Sequence, residues 1–175
     1  MSEPFVAGLP VRDADVSGSH AFAMSASGAG ALALELDVRV VGETDITACF
    51  ALMRALRPQL SSEAEFVERW RLQSEQGYSI LALWRAQHAV ALAGFRVQEN
   101  FVHGRFLYVD DLVADESERR QGHGARLLDH LKAEGRARGC RKLVLDTALE
   151  NTLGHRFYYR QGLLAMSLRF NCVLD

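Results

Sequence analysis

The chain has 175 residues, 49% of them hydrophobic and 24% charged, which suits one domain with a single sizeable core and argues against wholesale disorder. Its formal net charge of −2 gives no global attraction for nucleic acid or an anionic membrane, so any anion must be held by local clustering. Cys49, Cys140 and Cys172 are scattered and form no CxxC pair, which argues for reduced, mostly buried thiols and against a disulfide framework or a zinc site. No apolar run is long enough to span a bilayer, and the N-terminus lacks the basic start of a secretory signal; a cytoplasmic chain without a metal is expected.

Residues 1–33 are expected to form an N-terminal extension outside the domain, because the stretch 17–30 is rich in Ser, Ala and Gly and has little to bury. The domain is expected over residues 34–175. It opens with a strand at 34–41, followed by a helix capped by Thr44 or Asp45 that carries Ile46, Phe50, Met53 and Leu56 up to Pro58. Ser61 or Ser62 starts a second helix, with Glu63 and Glu65 in its first turn and Phe66, Trp70 and Gln73 on one face; Gly77 ends it. Three strands follow at 78–84, 90–98 and 106–114, and their short connections predict antiparallel neighbours. The spacing of Leu127, Leu128 and Leu131 predicts a helix over 125–138, stopped by Gly139. A buried-type strand at 143–146, a helix at 151–161 closed by Gly162, and a last strand at 168–174 complete the order. The fold class is therefore a mixed α/β sheet, mostly antiparallel, flanked by helices.

Arg119-Arg120-Gln121-Gly122-His123-Gly124-Ala125 lies between a predicted strand and a predicted helix. Two glycines spaced by one residue let bare backbone N–H groups approach a ligand, and a helix start adds the positive end of its dipole. With two guanidinium groups beside them, these features predict a phosphate-bearing ligand; the alternative is a solvated turn with a capping glycine. A nucleotide P-loop does not fit, because no Gly-Lys-Ser/Thr follows, and a dinucleotide fold would need a third glycine and an early βαβ unit.

The downstream elements extend this pattern. Strand 106–114, the Arg-x-x-Gly-x-Gly loop, helix 125–138, strand 143–146, Asn151 and Phe157-Tyr158-Tyr159-Arg160-Gln161-Gly162-Leu163 follow in order. Together they resemble the GCN5-related N-acetyltransferase (GNAT) family, closely over residues 106–163 and only in architecture over 34–100. The resemblance implies the acyl-CoA N-acyltransferase fold and acetyl-CoA as co-substrate. It implies that the backbone of Leu112, Val113 and Ala114 binds the pantetheine arm. The pyrophosphate would then lie over Gln121, Gly122, His123, Gly124 and Ala125, with Arg119 and Arg120 at its edge. His123 is expected to point outward beside the phosphates. Asn151 is implied as a contact to the cofactor arm, with a helix N-cap as the plainer use.

Tyr158 matches the tyrosine that many members use to protonate the departing thiolate, with the adjacent Tyr159 as the alternate. An amine nucleophile also needs a base. Asp110 and Asp111 are consecutive on a strand, so strand geometry places their side chains on opposite faces, where each could instead pair with a neighbouring Arg or Lys. The resemblance favours Asp110 as base, with Asp111 as alternate. His155 shares a helix face with Tyr158 and reads as a satisfied interior histidine. The function implied is direct acetyl transfer to a primary amine of a small molecule or peptide. The rival is a non-catalytic acyl-CoA sensor. Residues 44–76 would shape the acceptor site, and the short stretch after Leu163 implies either a cleft more open than usual in the family or, as the favoured reading, a homodimer completing it.

Overall fold

A computed structural model describes residues 36–174, and the expected extension over residues 1–33 lies outside the described residues. The domain contains β1 (Leu36–Val40), α1 (Phe50–Leu56), α2 (Glu63–Glu75), β2 (Ser79–Arg85), β3 (His88–Asn100), β4 (Gly104–Ala114), α3 (His123–Ala137), β5 (Lys142–Leu145) and α4 (Thr152–Arg160). The strands form one sheet in the order β1-β2-β3-β4-β5; every pair is antiparallel except β4 with β5, which is parallel. The expected mixed, mostly antiparallel sheet is therefore present.

Side chains alternate across this sheet and build two cores. Ile80, Ala82, Trp84 and Leu92 join Ile46, Cys49, Leu52, Met53 and Phe66 on the α1/α2 face. Leu83, Ala91, Ala93, Phe95, Leu107 and Val109 meet Leu127, Leu128 and Leu131 of α3 on the other. The apolar stripe of α3 is what fixes its orientation on the sheet.

Two helix starts are informative. Ser62 accepts the Glu65 N–H at 3.2 Å, while the Glu65 carboxylate accepts the Ser61 N–H at 2.8 Å and hydroxyl at 2.6 Å, so both serines cap α2 reciprocally. The first helix differs from expectation. It begins as a 3-10 turn, Ile46–Cys49, and Asp45 makes no side-chain cap; its carboxylate lies 3.7 Å from Arg39 instead. The expected last strand at 168–174 does not form either. Residues 163–174 are irregular, with no ladder to hold them.

Candidate active site

The β4–β5 pairing ends at Val109↔Leu145, yet β4 continues to Ala114. β5 itself ends at Leu145, so from residue 110 onward no described strand pairs with this edge of β4, which leaves its row of backbone donors and acceptors without a ladder partner. Leu112, Val113 and Ala114 lie on that row, each half-buried.

On the opposite edge β4 carries a bulge. Val109 pairs with Phe95 and Asp111 with Gly94, which leaves Asp110 as an extra residue between them. The insertion changes the phase of the strand: Leu107 and Val109 face α3, as do Leu112 and Ala114, whereas Val113 packs on the other core. Asp110 and Asp111 consequently lie on the same side of the sheet and line one cavity, contrary to the opposite faces that simple alternation predicts.

Both carboxylates are engaged there, unequally. Asp111 is 9% exposed and has both oxygens occupied: Arg57 Nε donates to Oδ1 at 2.8 Å and the Tyr78 hydroxyl donates to Oδ2 at 2.7 Å. Burial and the neighbouring Asp111 push the Tyr78 phenol far above its ordinary pKa, so it stays a donor. Gly94 makes this pair possible, because a β-carbon there would lie 2.0 Å from the Tyr78 oxygen. Asp110 accepts from Arg96 Nε at 3.0 Å through Oδ2, and Arg96 also donates to Gln73 at 3.0 Å and lies over the Tyr78 ring. Among the described residues nothing donates to Oδ1 of Asp110. Burial lifts its carboxyl above the ordinary carboxylate range, against the opposing pull of Arg96. Tyr78, Arg57 and Arg96 were not singled out in the sequence; their partners lie 14 to 54 positions away, and no local spacing signals such contacts.

The glycine loop also takes a definite form. Arg120 and Gly122 have φ of +66° and +81°, and α3 starts directly after them. The first intrahelical bond runs from the Arg126 N–H to the Gly122 carbonyl at 3.0 Å, so the N–H groups of His123, Gly124 and Ala125 have no acceptor within the helix. Arg119 and Arg120 are exposed, and Arg119 pairs with Glu116 at 3.2 Å. The loop thus offers convergent donors with two cations at its rim. His123 does not point outward. It is 4% exposed, and its Nε2 meets Glu118 at 3.1 Å, because the first residue of α3 turns its side chain under the loop rather than over it. Glu118 is held in turn by Arg85, and these two contacts keep its carboxyl below the ordinary range.

Tyr158 and Tyr159 both line the cavity of the two aspartates, but Tyr158 is half-buried whereas Tyr159 is 54% exposed. Burial pushes the Tyr158 phenol up, and no described residue hydrogen-bonds its hydroxyl. The cavity holds about 1200 Å³ and is also lined by Trp70 and Gln73 of α2. Phe157 meets the loop: a β-carbon at Gly124 would lie 3.1 Å from its ring, so α4 and the start of α3 are in close contact. Asn151 caps α4, accepting the Gly154 N–H at 3.0 Å and donating to Thr147 at 3.0 Å. His155 is satisfied by the Ala148 carbonyl at 2.9 Å. No group of three or more His, Cys, Asp or Glu able to hold a metal occurs among the described residues.

Comparison with known proteins gives this geometry a setting. Residues 47–163 match the model of the acetyltransferase (GNAT) family. A glucosamine 6-phosphate N-acetyltransferase of Dictyostelium discoideum is 26% identical over 103 residues, covering 55% of this chain and 64% of that protein, so the match spans less than two thirds of the relative's length. A Trypanosoma brucei acetyltransferase structure superposes with a TM-score of 0.69 at 24% identity, over 80% of this chain and 100% of that one. The aminoglycoside N-acetyltransferase AAC(6')-Iy in complex with CoA superposes with a TM-score of 0.66 at 18% identity, over 79% of this chain and 96% of that one.

Proposed function

The chain belongs to the acetyltransferase (GNAT) family, and on that premise we propose that it moves the acetyl group of acetyl-CoA to a primary amine by direct attack. The observation that carries this reading is the juxtaposition of a parted strand pair, an N–H cradle at the next helix start, and a cavity holding Asp110 and Tyr158. The unpaired backbone of Leu112, Val113 and Ala114 would take the amide groups of the pantetheine arm as a missing strand would be taken. The N–H groups of Gln121, Gly122, His123, Gly124 and Ala125 would receive the pyrophosphate, with Arg119 and Arg120 screening its charge. His123 would serve here through its backbone, and Asn151 through the start of α4 that it caps.

Asp110 would accept the proton of the incoming ammonium through its free oxygen. Asp111 instead holds Tyr78 and Arg57 in place, because its two oxygens already have partners. A backbone N–H on the parted stretch of β4 would stabilise the charge developing on the thioester oxygen. Tyr158 would return a proton to the departing thiolate; its raised pKa keeps it protonated over the working range. No covalent intermediate on the protein is required. Burial, with Asp45 nearby, pushes the Cys49 thiol up to about 12, which rules it out as a nucleophile.

Calorimetry with CoA, combined with a thiol-release assay over a panel of sugar, peptide and polyamine amines, tests the reading. Binding with release for at least one amine supports it. Tight binding with no release for any amine would favour an acyl-CoA sensor, and no binding at all would remove the loop assignment. Sugar amines are included because the Dictyostelium relative is a glucosamine 6-phosphate N-acetyltransferase.

A further inference from the structure

Arg119, Arg120, Gln121 and Gly122 are exposed, so packing does little to hold them. Among the described residues the N–H groups of Arg120, Gln121 and Gly122 have no backbone acceptor. Arg120 nevertheless keeps a φ of +66°, a left-handed conformation unfavourable for any residue with a side chain. A loop in that state needs a constraint from outside itself if its donors are to converge.

The residues that flank the loop supply one. Glu118 precedes it, His123 follows it, and their side chains meet beneath it, His123 3% and Glu118 16% exposed. That contact closes residues 118–123 into a ring. Arg85, the last residue of β2, pairs with the same carboxylate and fastens the ring to the sheet. Just beyond the loop, Arg126 of α3 donates through Nη2 to the Leu36 carbonyl of β1 at 2.7 Å, so the loop is followed by a second tie. Glu118 stays ionised, because Arg85 and His123 both stabilise its charged form. An ionised carboxylate so close to an anion cradle repels the anion. Its contacts suit this place, and its charge does not.

We propose that Glu118 and Arg85 are positioning residues for the cradle: Glu118 holds the His123 side chain across the base of the loop, and Arg85 fixes that pair to β2. The N–H groups of His123, Gly124 and Ala125 are thereby aimed at one point. The use of this cradle for CoA rests on the acetyl-transfer reading above; the ordering of the loop does not.

Glu118→Ala tests the proposal, because charge and geometry predict opposite signs. Loss of a repelling carboxylate would tighten CoA binding, whereas loss of the clamp weakens it. Calorimetry should show roughly tenfold weaker CoA binding, the size of one charge-assisted contact. Glu118→Gln removes the charge and keeps the contacts, since its amide accepts from Arg85 and donates to the imidazole. It should bind CoA at least as tightly as the parent. Pantetheine carries the same arm without a pyrophosphate, and a chemical-shift titration should find it bound equally by the parent and Glu118→Ala. Nitrogen-15 relaxation supplies a reading without ligand. Order parameters of N–H groups 120–124 should fall from about 0.85 toward about 0.6 in Glu118→Ala, while those of 127–131 hold. Arg85→Met leaves the loop sequence intact and should loosen the same amides, which keeps the test open if Glu118→Ala melts early. Unchanged or tighter CoA binding in Glu118→Ala overturns the proposal, as do an equal loss of pantetheine, a Gln variant as weak as the Ala variant, or unchanged loop order parameters. A parent that binds no CoA removes the acetyl-transfer reading, and the order parameters then still decide the clamp.

Discussion

At the scale of single residues, the site rests on a buried hydrogen bond that needs a glycine. Tyr78 reaches Asp111 only because Gly94 has no side chain, so Gly94→Ala must displace the phenol and leave a buried carboxylate short of a donor. Gly94→Ala should cost about 2–3 kcal/mol in urea unfolding, the range for overpacking a filled interior. Asp110 gives the opposite separation. Its raised pKa means the folded chain holds that proton more tightly than the unfolded chain, so this group favours folding below its pKa and costs stability as pH rises through it. Asp110→Asn should therefore leave urea stability at neutral pH unchanged or slightly higher, while turnover falls about 10²-fold. The acid limb of kcat/KM in the parent should lie above the usual carboxylate range and vanish in the variant. Tyr158→Phe should lower kcat by a similar factor with CoA affinity unchanged in calorimetry, since only the proton donor is lost.

Elements show how a local pattern becomes a cradle. Gly122 at φ +81° is the residue that turns the N–H groups of the next turn toward one point. Gly122→Ala should strain the loop by about 1 kcal/mol and weaken CoA binding roughly tenfold, measurable by calorimetry. Gly154 is a different case. Its small size lets the Asn151 amide fold over the first turn of α4, so the glycine that weakens the helix interior permits its cap. Gly122 was visible in the sequence as part of the loop, as were α3 with its leucine stripe, the antiparallel strands and the serine start of α2. Those features depend on residues within a few positions of one another. The bulge was not visible, because an extra residue in a strand shows only against the partner it fails to match. The His123–Glu118 contact escaped for a related reason: which way a helix's first side chain turns depends on what packs beneath the loop.

Across the whole molecule, the two cores lie on opposite faces of one sheet, and β4 contributes to both. The strand pattern of the C-terminal segment was legible, but a strand also needs a neighbour, and none stands beside it among the described residues. The bulge in β4 has a consequence at this scale as well. Leu107 and Val109 before it, and Leu112 and Ala114 after it, share a face only when Asp110 is left uncounted. Removing that one residue from the chain would give an unbroken ladder from Gly104 to Ala114, with every core side chain still on its present side. A variant with Asp110 deleted should therefore melt close to the parent and show no measurable acetyl transfer. The strand can be spelled correctly without this letter; the proposed proton transfer cannot.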